Sequence, residues 1–198
     1  MTSADPTLTL VTRLERPPLP DADKLMLTPL DMTLEVMSES LTPAIRAQFG
    51  AQFGAYLGKG QHPALINHQA LDFLCRTCLP EYPLAEAYRE FGHRSVQHYR
   101  QSSILGRVMM AAVPVMGIER LLRQFPRQMA AVSNFGTHTV YALAPGAWRL
   151  DDEDEIMPPE QLQGNLEAAC SLVHAQDLRV TFTTRAPQSY SFFIHWHP

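Results

Sequence analysis

Two cysteines with the spacing Cys75-Arg-Thr-Cys78 are the first residues whose types suggest chemistry. Thiols three positions apart lie on one face of a helix, where they can bind a metal ion together or exchange a disulfide. A structural zinc ion needs four ligands, but the sequence contains no second Cys-x-x-Cys pair and no βαβ pattern of the thioredoxin type around this one. We therefore expect buried structural cysteines, with redox sensitivity as the first alternative and metal binding as the second.

Histidines form two further pairs. His195 and His197 alternate on a predicted strand, which places their imidazoles on one face and about 6.5–7 Å apart. The sequence marks no third ligand, so we expect both rings to lie at the exposed end of the strand. His93 and His98 are five positions apart on a predicted helix and point in different directions. No metal site is predicted.

Arginines are concentrated in the middle of the chain. Between Arg76 and Arg127 there are eight arginines and four glutamates, and Arg120, Arg123 and Arg127 recur at helical spacing. No aromatic platform or helix-turn-helix pattern accompanies them, so we expect a solvated helix face and no nucleic-acid partner. Common motifs for phosphate binding, ester hydrolysis, zinc proteolysis and dinucleotide binding are absent from the sequence. We expect a protein that is not an enzyme and uses no cofactor.

The elements that position these residues belong to a chain of 198 residues with 45% hydrophobic and 18% charged residues and a net charge of -4. This composition excludes collagenous, disordered and disulfide-rich classes. Residues 1–6 lack a secretory signal, and the longest apolar stretch, 108–116, contains Pro114 and is too short to span a bilayer. We expect a buried helix at 108–116 and, with only three cysteines, a cytoplasmic protein without a membrane partner.

Hydrophobic periodicity divides the chain into three parts. Residues 1–30 contain five of the sixteen prolines, and 7–16 alternate between apolar and polar residues, which indicates an extended arm that could add an edge strand to a sheet. Helical spacing then covers 30–50, 63–78, 84–99, 103–115 and 118–131, and Thr42-Pro43 predicts a helix start. Prolines at 80, 83, 114 and 126 predict helix ends or kinks.

From residue 137 the period changes to two. Alternating segments at 137–143 and 147–150 predict a hairpin, 162–173 predict a helix, and 178–185 and 190–197 predict two further strands. The fold class that follows is α+β, in which a helical N-terminal two-thirds packs on a C-terminal antiparallel β-β-α-β-β sheet. We expect an arm at 1–23 and a single domain at 24–198, with a helical layer at 28–132 and a four-stranded sheet layer at 137–197.

Several segments together resemble a bacterial family of proteins of about this length known only as a domain of unknown function. The best defined of them reads Tyr-Pro-Leu-Ala-Glu-Ala-Tyr-Arg-Glu-Phe-Gly at 82–92. The others lie at 28–49, 106–126, 133–135, 164–167 and 190–196. The resemblance covers about 170 residues and depends on the order and spacing of these segments. The arm and the Cys75–Cys78 pair are not features of that family.

The layout of that family resembles, more distantly, the haem nitric-oxide/oxygen-binding domains and the vinyl-reductase-like small-molecule-binding domains. In the haem domains the proximal histidine ends a helix that reads roughly Leu-Arg-Asn-Leu-Asp-Asn-Leu-His. The corresponding stretch here ends in Met129, and no Tyr-x-Ser-x-Arg motif follows it. The resemblance implies the fold but not the haem. His98 and His138 flank this segment and are the residues that could replace the missing histidine.

The leading functional hypothesis is a non-catalytic sensor or adaptor that holds a small apolar ligand between the helical layer and the sheet. We expect Phe91, Met129, Phe135 and Tyr141 to line that space, since ligand pockets are largely apolar with a few polar groups. One alternative is a protein-binding module that forms a homodimer, in which a strand at 7–15 pairs with a sheet edge of its own or a neighbouring chain. A haem-binding gas sensor is the other alternative.

Overall fold

The structure is a computed structural model that describes residues 8–102, 117–173 and 175–197. The helix predicted at 103–115 and the apolar stretch at 108–116 lie outside these residues. In chain order the elements are β1 (Thr9–Leu14), a 3₁₀ turn (Asp21–Asp23), β2 (Leu25–Met26), α1 (Leu30–Val36), a 3₁₀ turn (Ser38–Ser40), α2 (Pro43–Phe53), a 3₁₀ turn (Gly54–Tyr56), β3 (His62–Pro63), α3 (Ala64–Cys78), α4 (Leu84–Ser102), α5 (Ile118–Val132), β4 (Thr137–Ala144), β5 (Ala147–Glu153), α6 (Pro159–Ser171), β6 (Gln176–Ala186) and β7 (Ser189–His197).

The main sheet has five antiparallel strands in the order β1-β4-β5-β7-β6. The α+β class and the antiparallel pairing of the last four strands agree with the sequence prediction. The strict separation of helices from strands was wrong, because β1 comes from the N-terminal arm and pairs with β4 of the same chain, opposite Tyr141 and His138. The short pair β2 and β3 also lies within the helical part. Pairing along β4 satisfies backbone groups that the arm could not bury alone.

One face of this sheet forms a hydrophobic core with α5 and α6. Alternation along the strands directs Val140, Leu150, Phe192 and Ile194 to this face, where all four are buried. A second core lies within the helical layer and contains Leu30, Met37, Phe49, Leu71, Leu74 and Phe91. The opposite sheet face is polar and carries Arg149, whose guanidinium contacts Asp151.

Arg16 attaches the arm to the end of α5. Its Nη1 donates hydrogen bonds to the carbonyl oxygens of Ser133 (2.6 Å) and Phe135 (3.0 Å), and its Nη2 donates to that of Ala130 (3.3 Å). The carbonyls of Ala130 and Ser133 lie at the C-terminus of α5, where backbone acceptors lack partners within the helix and a positive charge is favourable, and Phe135 follows in the connection to β4. The arm is therefore part of the folded structure from β1 onward.

We expect Arg16→Met to lower the free energy of unfolding by about 2 kcal/mol, because it removes three charge-assisted hydrogen bonds from half-buried carbonyls. Urea denaturation measures this change. Arg13→Met is the matched control, since Arg13 is exposed and, within the described part of the chain, pairs only with Glu15, which directly follows β1. The free energy of unfolding of Arg13→Met should stay within about 0.5 kcal/mol of the wild-type value. Equal effects of the two substitutions would contradict a specific role for Arg16.

Candidate functional site

Helices α4 and α6 connect the helical layer to the sheet layer through direct backbone contact. Gly92 lies against the carbonyl of Gln161, and Gly164 lies against the carbonyl of Arg89. An added side-chain carbon at either glycine would overlap those carbonyl oxygens. The two layers therefore touch here without intervening space.

A charged cluster flanks this crossing. Both carboxylate oxygens of Glu167 accept hydrogen bonds from Arg89, at 2.7 Å each, and His93 Nε2 lies 2.9 Å from the same carboxylate. Burial alone would raise the pKa of Glu167, but the hydrogen bonds from His93 and Arg89 lower it below its usual value. The cluster holds α4 and α6 together, and both oxygens of the Glu167 carboxylate are engaged in these hydrogen bonds.

A second polar cluster is buried where β4 and β5 approach the helical layer. His138 Nδ1 lies 2.7 Å from Asp152 Oδ1, and both side chains are completely buried. His138 Nε2 and Asp152 Oδ2 have no hydrogen-bond partner among the residues that the structure describes. Glu155 is also buried, and burial together with the charge of Asp152 raises its pKa to about 7. The backbone N–H of Met157 donates a 2.8 Å hydrogen bond to Glu155.

Space around His138 is restricted. The edge of the ring that carries Nε2 lies against Gly136, because a carbon added to this glycine would come within 3.0 Å of Nε2 and Cε1. The ring of Phe125 on α5 packs edge-on at a centroid distance of 5.9 Å. The imidazole is therefore enclosed by protein on the side that could bind a metal ion.

The four predicted ligand-binding residues have different surroundings. Phe91 is buried in the helical core, and Met129 packs on the sheet core. Phe135 is buried with Lys24 Nζ 5.9 Å from its ring centroid, whereas Tyr141 lies on the polar sheet face under the guanidinium of Arg149. The described structure does not bring the four together. Strand alternation explains the position of Tyr141. Its neighbour Val140 occupies the core face, so Tyr141 lies on the opposite face. Their role in ligand binding stays a prediction.

The cysteine and histidine pairs have ordinary structural positions. Cys75 and Cys78 are buried free thiols, and burial raises the pKa of Cys75 to about 12, which disfavours the reactive thiolate. His195 and His197 are exposed near the end of β7. Within residues 8–102, 117–173 and 175–197, no group of three His, Cys, Asp or Glu side chains could hold a metal ion.

An open cavity of about 880 Å³ lies between α2, α3 and the start of α4. Its lining consists of Gln52, Phe53, His68, Gln69, Asp72, Phe73, Arg76, Thr77, Leu84 and Tyr88. Sequence analysis missed this site, although the helical spacing of Asp72 and Arg76 is a recognisable signal for an ion pair. The cavity combines aromatic surface with a fixed ion pair, which is a suitable lining for an organic ligand.

Residues 32–197 match the family of proteins of unknown function DUF2378. The chain belongs to this family. The match confirms the family resemblance seen in the sequence. No curated protein sequence matches the chain. No helix in the described part of the chain is long and apolar enough to cross a membrane.

Solved structures of H-NOX proteins, which are haem nitric-oxide/oxygen-binding domains, share the fold. The NMR structure of an H-NOX domain from Shewanella oneidensis in the Fe(II)CO ligation state has a TM-score of 0.57 and 12% identity, and covers 87% of this chain and 99% of that one. The crystal structure of the Fe(II) unliganded H-NOX protein from K. algicida has a TM-score of 0.53 and 11% identity, covering 85% and 88%. A point mutant of the T. Tengcongensis H-NOX has a TM-score of 0.55 and 10% identity, covering 85% and 96%. At these identities the likeness concerns the fold.

Proposed function

We propose that this DUF2378 member is a non-catalytic sensor domain that binds a small molecule on an H-NOX fold. The observation that carries the proposal is the cavity of about 880 Å³ beside α3, which has the size of a ligand site and joins apolar and polar groups. The fold shared with the H-NOX structures supports it, since the description of one of these neighbours names an Fe(II)CO ligation state.

Native mass spectrometry of the protein purified from its source tests this proposal. We expect a small molecule to be retained under native conditions and released on denaturation. Identical native and denatured masses, combined with no shift in Tm from a panel of small organic acids, would overturn the sensor function. Enzymatic turnover of a retained molecule would also contradict a non-catalytic role.

A haem-binding gas sensor is the second candidate, and the comparisons favour it over a haem-free sensor because the neighbouring structures are H-NOX proteins with iron in their descriptions. The residues of this chain do not fit a haem near α5. Met129 packs on the sheet core, and the completely buried imidazole of His138 is paired with Asp152 and packs edge-on against Phe125. His98 Nε2 lies instead 3.4 Å from Glu35 on α1.

We therefore expect a haemin titration followed at the Soret band to show no saturable one-to-one binding. His138→Ala should give the same absorbance curve as the wild type, because the imidazole is enclosed and paired with Asp152. Met129→Leu, which keeps the apolar volume but lacks the sulfur, is the parallel variant. Stoichiometric binding with a sharp Soret band that is lost in either variant would establish the haem sensor and refute the haem-free one.

A further inference from the structure

The cavity beside α3 has an ordered ion pair along one wall. Asp72 Oδ1 accepts a 2.9 Å hydrogen bond from the hydroxyl of Tyr88, and both oxygens of Asp72 contact Arg76 Nε at 3.0 and 2.9 Å. These bonds fix the guanidinium of Arg76 through its Nε. Its two terminal nitrogens make no hydrogen bond to the described part of the chain, and 59% of the side chain is exposed. A planar donor pair is thus held in place and open to solvent.

Other residues that line the cavity are apolar. Phe53 and Phe73 pack edge-to-face with ring centroids 6.1 Å apart, and Leu84 lies at the start of α4. Phe53 belongs to the core of the helical layer, and Phe73 packs against it from the cavity side. The lining therefore offers hydrophobic surface within reach of a guanidinium, a combination that suits a molecule with an apolar body and an anionic head.

The charges indicate which anion fits. Among the described lining residues, Arg76 is the only side chain with a permanent positive charge, and the carboxylate of Asp72 lies beside it. A dianionic head such as a phosphate monoester would be repelled by Asp72 without a second cation to offset this repulsion. A carboxylate carries a single charge and matches the two parallel N–H donors of one guanidinium. The cavity chemistry therefore favours a monocarboxylate.

His68 connects this cavity to the other layer. Its ring lines the cavity, and its Nδ1 lies 3.2 Å from the carbonyl oxygen of Ile156, so Nδ1 donates to the segment between β5 and α6. A molecule beside His68 contacts a side chain that is bonded to the sheet layer.

From these contacts we infer that the cavity binds an amphipathic monocarboxylate, with its carboxylate on the terminal nitrogens of Arg76 and its apolar body against Phe53 and Phe73. The inference rests on the proposed small-molecule sensor and assigns it a ligand class and a site. It is separate from haem binding, because the cavity lies in the helical layer, away from Met129 and His138.

Isothermal titration calorimetry of the full chain with decanoate tests this inference, with uncharged decanamide as the paired probe. We expect saturable binding of decanoate, about tenfold weaker binding of decanamide, and about tenfold loss of decanoate affinity in Arg76→Gln. Decanamide affinity should be the same in both proteins. Arg76→Lys should retain part of the decanoate affinity, since it keeps the charge but loses the paired donors. Decyl phosphate should bind less tightly than decanoate at pH 8.

Arg127→Gln is the matched control, since Arg127 is exposed on α5 outside the cavity, and it should bind decanoate as the wild type does. Equal decanoate affinity in the wild type and Arg76→Gln would overturn the site, as would equal losses in Arg76→Gln and Arg127→Gln. No saturable decanoate binding by the wild type, or tighter binding of decyl phosphate, would overturn the ligand class. If the purified protein retains a natural small molecule but the titrations give one of these contradicting results, the monocarboxylate inference is refuted and the proposed sensor function stands.

Discussion

Gly164→Ala is expected to lower the free energy of unfolding by about 3 kcal/mol or more, since overpacking against backbone lies at the costly end of such changes. The added methyl group would overlap the carbonyl of Arg89 on α4. A side chain could rotate away, but this carbonyl belongs to the helix backbone, so α4 and α6 would have to separate. Separation would also stretch the hydrogen bonds between Arg89 and Glu167. Urea denaturation followed by far-UV circular dichroism measures the loss.

Gly92→Ala should have an effect of similar size, because its methyl group would overlap the carbonyl of Gln161. Gly50→Ala is the matched control within α2, where nothing in the described structure lies within 4 Å of the added carbon. It should stabilise the protein by about 0.5–1 kcal/mol, since alanine is the better helix former. A loss below about 1 kcal/mol in Gly164→Ala would contradict the close packing of the two helices.

Hydrophobic periodicity predicted the strands of the sheet, because the alternation of side chains between the two faces of a strand is a local property of the sequence. Alternation along the strand predicted at 190–197 places Tyr190, Phe192, Ile194 and Trp196 on one face, and all four contribute to the sheet core. The helix start at Thr42-Pro43 was also local, and the Thr42 hydroxyl accepts a hydrogen bond from the N–H of Ile45. Residues whose neighbours in sequence determine their structure could therefore be assigned correctly.

Features that depend on distant contacts could not be predicted. An edge strand from the arm was predicted, but the sequence did not indicate that its partner is β4, a strand more than 120 positions away. The strand predicted at 147–150 continues to Glu153, and Asp152 in this extension is buried opposite His138. Tertiary packing decides each of these cases.

The cavity was missed for a related reason. Asp72 and Arg76 form an ordinary ion pair one helical turn apart, and the sequence does not show that Tyr88 and Phe53 come from other helices to complete the lining. Conversely, Phe91, Met129, Phe135 and Tyr141 were chosen for their residue types and spacing relative to the expected layers. Strand alternation with Val140 places Tyr141 on the polar sheet face, whereas Phe91 and Met129 belong to two different cores.

Glu155→Gln is expected to stabilise the protein increasingly as the pH rises. Burial and the nearby Asp152 raise the pKa of Glu155 from 4.5 to about 7, while His138 and the backbone N–H of Met157 partly oppose this shift. The folded state therefore binds the proton more tightly than the unfolded state. The protonated carboxyl contributes its full stability below pH 4.5, and this contribution is lost as the pH rises through 7.

Glutamine cannot ionise, so the difference in free energy of unfolding between Glu155→Gln and the wild type should grow by about 2–3 kcal/mol between pH 5 and pH 8.5. Tyr190 also faces Glu155, and the charge of Glu155 contributes to the raised pKa of Tyr190, so the pH series should stop below the range in which tyrosine titrates.

Urea denaturation at each pH measures this difference in the free energy of unfolding. Glu81→Gln is the control, because Glu81 is exposed, and its difference from the wild type should stay constant. The prediction is contradicted if the difference in free energy of unfolding between Glu155→Gln and the wild type is constant over this pH range, or if it grows as the pH falls. Either result would mean that the site does not favour the neutral form of Glu155.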